Sequence, residues 1–251
     1  MLVRVIAMVV LLLLASTALI ASQLHLFSSG VLQDEALPCR VMIEGQDITD
    51  GSVFLNKFQN ECQTIRKQLP LDKKTETVSE VQDELAQLMT TAWWTFKEGQ
   101  VRDLWKDNHL GIRYNCVVRY TIDFNTKNTA TNNLHIARKQ FIDYLNTTRY
   151  AGADDTSTTY LTYLTWNSGK PVYLAVLPQA AHPDSAYIDT NKTYAVSLMS
   201  IHKGSFFTSI FNPVGSVAGS LANFLPTTLV FSTLDFAQNQ LNCKTIQAKT
   251  Y

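Results

Sequence analysis

The sequence has no surplus of charge: 21 Lys and Arg offset 21 Asp and Glu in 251 residues. A balanced chain builds no field that would gather nucleic acid, so nucleic acid is not an expected partner. The chain also lacks the short motifs that announce a reaction, with no G-x-G-x-x-G, P-loop, H-E-x-x-H or G-x-S-x-G. His25, His109, His135, His182 and His202 are scattered, and none has a second His or Cys at helical ligand spacing. Asp154-Asp155 follows Gly152 in a polar stretch, where paired carboxylates cap a turn and no further oxygen ligands for calcium are displayed. The expectation from these absences is a protein that is not an enzyme, holds no metal or cofactor, and works by binding.

Charge is missing locally as well. Gly204 to Leu234 contains no Asp, Glu, Lys, Arg or His. As one helix such a run would span a bilayer, but Pro213 and Pro226 bracket a unit too short to cross. Three readings stand for it. It is a buried helix and loop over a sheet, an apolar loop that docks a partner, or a membrane-inserting element using Phe206, Phe207 and Phe211. Within it Gly215 and Gly219 form a G-x-x-x-G, a spacing that lets two helix backbones approach closely.

What is present begins at the N-terminus. Leu2 to Ala21 is apolar except for Arg4, Ser16 and Thr17. A basic residue, an apolar run and then small residues match a secretory signal, with cleavage after Ala18 or Ala21. About 20 apolar residues also suffice to cross a hydrocarbon core, and that length favours a retained anchor. Arg4 before the segment, with Asp34 and Glu35 as the first ionised groups after it, places the N-terminus in the cytoplasm and the rest outside. The organisation expected is a stub at 1–4, a signal-anchor or cleaved leader at 5–21, a stalk at 22–52 and one extracytoplasmic domain at 53–251.

The four cysteines fit that placement. None has C-x-x-C spacing, and an even number in an exported chain is read as disulfides. The expected pairs are Cys39 with Cys62, flanking a short unit, and Cys116 with Cys243. Two N-x-T sequons, at Asn146 and Asn191, are possible glycan acceptors if the chain enters a eukaryotic secretory path.

Periodicity gives the body. Val53, Leu55, Phe58, Cys62, Ile65 and Leu69 predict a first helix stopped by Pro70. Thr77-Val78-Ser79-Glu80 has capping-box form and opens a second helix through Phe96, breaking near Gly99 and resuming through Trp105. Strict alternation from Tyr114 to Phe124 predicts a strand with Cys116, Val118, Tyr120, Ile122 and Phe124 on one face. Leu134, Ala137, Phe141 and Leu145 mark a third helix, and strands are expected at 158–166, 172–177, 194–201 and 227–236. Helices followed by strands imply an α+β domain, helices packed on a largely antiparallel sheet of about five strands, without parallel βαβ alternation.

Adjacent Trp93 and Trp94 sit about 100° apart on their helix, so one should face the core and the other elsewhere. The second indole is expected to pack at the boundary of the core first of all, and because tryptophan is enriched in binding hot spots the pair is also a candidate partner or membrane contact. The functional expectation is a membrane-anchored binding or assembly protein, a subunit or receptor of a secretion, envelope or entry complex with protein partners. The alternatives are a secreted hydrolase or lipid-binding protein that loses its leader, and a membrane-perturbing protein acting through 204–234.

Overall fold

The computed structural model describes residues 30–44, 61–71, 77–96, 98, 116–128, 131–153, 155, 157–167, 170–171, 173–176, 187–199 and 228–246. In chain order the helices are α1 (Gly30–Glu44), α2 (Val78–Thr95), α3 (Arg138–Thr147), α4 (Tyr160–Thr165) and α5 (Leu234–Asn239). The strands are β1 (Ile65–Leu69), β2 (Cys116–Phe124), β3 (His135–Ala137), β4 (Trp166–Asn167), β5 (Lys170–Pro171), β6 (Tyr173–Val176), β7 (Tyr187–Asp189), β8 (Tyr194–Met199), β9 (Thr228–Thr233) and β10 (Lys244–Thr245).

The main sheet runs β1-β2-β8-β9-β6, with β10 also on β2. It is mixed rather than largely antiparallel. The centre, β2 with β8 and β8 with β9, is antiparallel, whereas β1 and β10 run parallel to β2 and β6 runs parallel to β9. Because β1 and β2 are parallel neighbours joined across α2, a βαβ unit is present where sequence patterning predicts none. The reason is local: Ile65 and Leu69 are four apart, which fits a helix as well as a five-residue strand, so the predicted first helix is strand at its end. Its earlier part, residues 53–60, lies outside the described residues. β10 adds a second parallel piece, and Thr64 joins the two end to end. Its N–H donates to the Ile246 carbonyl, its hydroxyl donates to the Val118 carbonyl, and that hydroxyl accepts the Ile246 N–H.

β2 is where alternation fails in an instructive way. Val118 pairs with Ser197 and Tyr120 with Val196, so Arg119 is the extra residue of a bulge. An inserted residue exchanges the two faces of a strand. Tyr120, Ile122 and Phe124 therefore face the main core together with Val117, while Cys116 and Val118 face a second, smaller cluster behind the sheet. The expected single face for Cys116 through Phe124 is corrected accordingly.

The front of the sheet carries the large core: Trp93, Leu85 and Met89 of α2, Phe141 of α3, Tyr120, Tyr194 and Phe231 of the strands. α2 begins as its sequence dictates. The Thr77 hydroxyl accepts from the Glu80 N–H, and the Glu80 carboxylate accepts the Thr77 N–H at 2.8 Å. That pair of bonds contributes about 1 kcal/mol. Two strand expectations are corrected here. Residues 160–165 form α4, and 234–239, which begin inside the fifth expected strand at 227–236, form α5. The third expected helix opens as β3 and becomes helical at Arg138.

α1 falls inside the stretch read as a stalk, yet Ala36, Cys39, Met42 and Ile43 are buried and the last three belong to the main core. Pro38 within it removes a backbone donor, at a cost of about 3 kcal/mol in a helix interior. Burial and the Cys39–Cys62 disulfide offset that cost. Both expected disulfides are present, Cys39–Cys62 across 23 residues and Cys116–Cys243 across 127. Among the described residues no helix is long and apolar enough to cross a membrane, and Leu2 to Ala21 lies outside them.

Candidate functional site

Trp93 and Trp94 come first, because the sequence singles them out. Trp93 is fully buried under the sheet-facing side of α2, and Trp94 keeps only 8% of its surface. The second indole is covered by α1. The Arg40 guanidinium stacks 4.3 Å from the Trp94 ring centroid, donates to the Trp94 carbonyl at 2.7 Å and pairs with Glu44 at 3.0 Å. A helix packed on both sides has no face left for an exposed tryptophan, and neither indole lies open at the surface. Phe206, Phe207, Phe211, Gly215 and Gly219 lie outside the described residues. The last residues of the charge-free run are described: Thr228–Thr233 forms β9, buried between β8 and β6. Asn146, in the last turn of α3, and Asn191, in the turn between β7 and β8, are both exposed.

The densest polar constellation is one the sequence reading does not single out. Where α2, α3 and α4 meet, Asp83 accepts from the Tyr144 hydroxyl at 2.9 Å and the Tyr160 hydroxyl at 2.8 Å on one oxygen. Its other oxygen accepts from Gln87 Nε2 at 2.7 Å. Tyr150 packs on Tyr160 and Tyr163, with ring centroids 5.5 and 4.5 Å apart, and the Tyr163 hydroxyl donates to Glu98 at 3.1 Å. Glu98 sits in the left-handed region with φ 55°, which costs a residue with a Cβ about 1–2 kcal/mol. The bond from Tyr163 accompanies that conformation.

The electrostatics follow from burial. Tyr144, Tyr150, Tyr160 and Tyr163 all have pKa values pushed above the ordinary phenol value, first by desolvation. The nearest carboxylate adds to the shift: Asp83 for Tyr144 and Tyr160, Glu98 for Tyr150 and Tyr163. These phenols stay protonated, and Tyr144, Tyr160 and Tyr163 fasten the two carboxylates by donating to them.

A second node lies at the β2 bulge. Arg119 is 1% exposed and donates to the Gln63 carbonyl at 2.8 Å and the Glu35 carbonyl at 2.6 Å, while Lys67 forms an ion pair with the Glu35 carboxylate. Burial lowers the Arg119 pKa and raises that of neighbouring Tyr120 to about 12. The bulge thus aims a guanidinium at α1 and the chain before β1, tying both to the sheet. Sequence alternation assigns Arg119 to a solvated face, and only the bulge explains its burial.

Asp155 behaves as the turn reading expects. Its carboxylate accepts from the Ser157 N–H at 2.9 Å and the Ser157 hydroxyl at 2.7 Å, and these bonds lower its pKa. Among the described residues no three His, Cys, Asp or Glu side chains gather as metal ligands.

Of the missed residues, the tyrosines leave a trace: four of the ten, Tyr144, Tyr150, Tyr160 and Tyr163, fall within twenty residues. Asp83 leaves none, because its phenol partners are 61 and 77 residues away. Comparison of the chain with known protein families, with curated proteins and with solved structures finds no match.

Proposed function

We propose that this chain is an exported binding or assembly protein, held at a membrane by its apolar N-terminal segment and acting as a subunit or receptor of a secretion, envelope or entry complex. The observation that carries the reading is the pair of disulfides in an α+β domain placed directly after that segment. All four sulfurs are buried, as in bonds that staple a fold made in an oxidising compartment. The polar clusters support binding over catalysis. Asp83 is filled by three donors and Glu98 accepts from Tyr163, so these two acids serve packing.

α1 sets how far the domain could stand from the membrane with the N-terminal segment retained. Eight residues separate Ala21 from Gly30, a reach of about 28 Å at most when extended. A domain docked through α1 on so short a tether stays beside the bilayer that holds the leader. The test is intact mass and N-terminal sequencing of the native product, combined with protease protection in intact membranes. Retention of residues 1–21, with the domain protected on the non-cytoplasmic side, is the expected result. A mature chain starting after Ala18 or Ala21 would replace the tethered subunit with a secreted protein.

A further inference from the structure

We propose that Asn146 and Asn191 both carry N-linked glycans and that the glycans are added before the domain closes. The proposal rests on the export reading above, with export through a eukaryotic secretory path. Each asparagine is followed two residues later by a threonine, Thr148 and Thr193, with no intervening proline. Both asparagines are exposed in the folded chain, so a large hydrophilic substituent meets no packing conflict at either position. On α3 the buried face is Phe141 and Leu145, and Asn146 is turned from it. Tyr144, which reaches α2 through Asp83, lies about 200° around the helix from Asn146, so a glycan there leaves the α2–α3 contact intact. The disulfides point to an oxidising compartment, and the lumen in which such transfer occurs is one.

The order of events comes from the hydrogen bonds. A transferase must take the sequon as an extended peptide with its hydroxyl free to be recognised. In the fold the Thr193 hydroxyl donates to Asp123 at 2.6 Å, and the Asn191 N–H is bound by the Asp189 carboxylate at 2.9 Å. Asn146 is held in helix, with the N–H of Thr148 bound to the Tyr144 carbonyl. Neither segment can be drawn out without breaking a strand start or a helix end. Transfer joins Asn Nδ2 to C1 of a sugar on a polyprenyl diphosphate. The bond from C1 to the diphosphate oxygen breaks, the diphosphate leaves with that electron pair, and the amide gives one proton to the transferase.

Peptide mass analysis of the native product after an amide-cleaving N-glycosidase is the test, since each released glycan leaves aspartate in place of asparagine. Conversion at both 146 and 191 is expected. An unconverted asparagine at either site in a chain shown by protease protection to be exported overturns the proposal while leaving the export reading standing; a chain on the cytoplasmic side overturns both. The order is tested with unglycosylated full chain, purified oligosaccharyltransferase and its lipid donor. Modification of the reduced, unfolded chain and none of the oxidised, folded chain is expected, and equal modification of both overturns the ordering.

Discussion

The two faces of the main sheet each hold one disulfide but differ in how much packing surrounds it. The front is covered by four helices and filled with large rings: Trp93, Phe141, Tyr194 and Phe231 are all buried there. The back cluster is small, built of Cys116, Val118, Ala195, Met199, Val230, Ala237, Leu241 and Cys243, with the six-residue α5 as its described helix. Front and back share the strands β8 and β9, so alternate residues of the same strand belong to opposite regimes. Each face carries one disulfide, Cys39–Cys62 in front and Cys116–Cys243 behind, and the lesson is that the link behind is set in a much smaller packed area, so it carries a larger share of what holds its face.

Four experiments would break or sharpen that contrast. The largest effect is expected from Trp93→Ala, which empties the centre of the front layer and should cost about 3–5 kcal/mol in denaturant unfolding. A loss near that of a surface residue would mean the front does not dominate. Next, Cys116→Ala with Cys243→Ala should cost about 2–4 kcal/mol, because a long loop is released in the unfolded chain. The matched pair Cys39→Ala with Cys62→Ala releases the shorter loop and should cost less by loop entropy alone. If it costs more, docking of α1 over Trp94 is the greater part of its role.

Third, Asp83→Asn leaves Tyr144, Tyr160 and Gln87 competing for a weaker acceptor and should cost about 1–3 kcal/mol. The same residues set a pH response. The four phenols of the cluster have folded pKa values above the unfolded value of about 10, so their contribution is fully present below that pH and is lost as pH rises through the folded values. Stability should therefore fall on the alkaline side, and ultraviolet titration of Asp83→Asn should show tyrosinate forming at lower pH than in the parent. Unchanged titration would remove Asp83 from the cluster's electrostatics. The smallest effect belongs behind the sheet. The buried Ser197 hydroxyl has no hydrogen-bond partner among the described residues, so Ser197→Ala should change stability by less than about 0.5 kcal/mol or raise it. A clear loss would mean that this hydroxyl is bonded after all.

Legibility in the sequence follows the distance over which each feature is encoded. The α2 start was readable because Thr77 and Glu80 are three residues apart and satisfy each other's backbone donors. The disulfide pairing was readable from spacing and compartment, and both expected pairs formed. β1 was not, since five residues with two apolar positions four apart cannot distinguish the periods of helix and strand. α4 was not, because the Thr and Tyr residues of 160–165 favour strand by propensity and become helical where they pack against α2 and α3. The tyrosine cluster was half legible: its phenols crowd one stretch of sequence, but their acceptor lies on another helix.

The sequence settled what depends on neighbours along the chain or on composition: an apolar N-terminal run, an α+β body, a capped second helix and an even set of cysteines. Tertiary structure alone decided what depends on residues brought from afar. It docked α1 across Pro38, buried both indoles of α2 between two layers, and turned Arg119 inward at a bulge that exchanges the faces of β2. The physical reason is that local propensities differ by about 1 kcal/mol or less per residue, whereas burying one large side chain contributes about 2–3 kcal/mol, so contacts between distant segments overrule local preference wherever the two conflict.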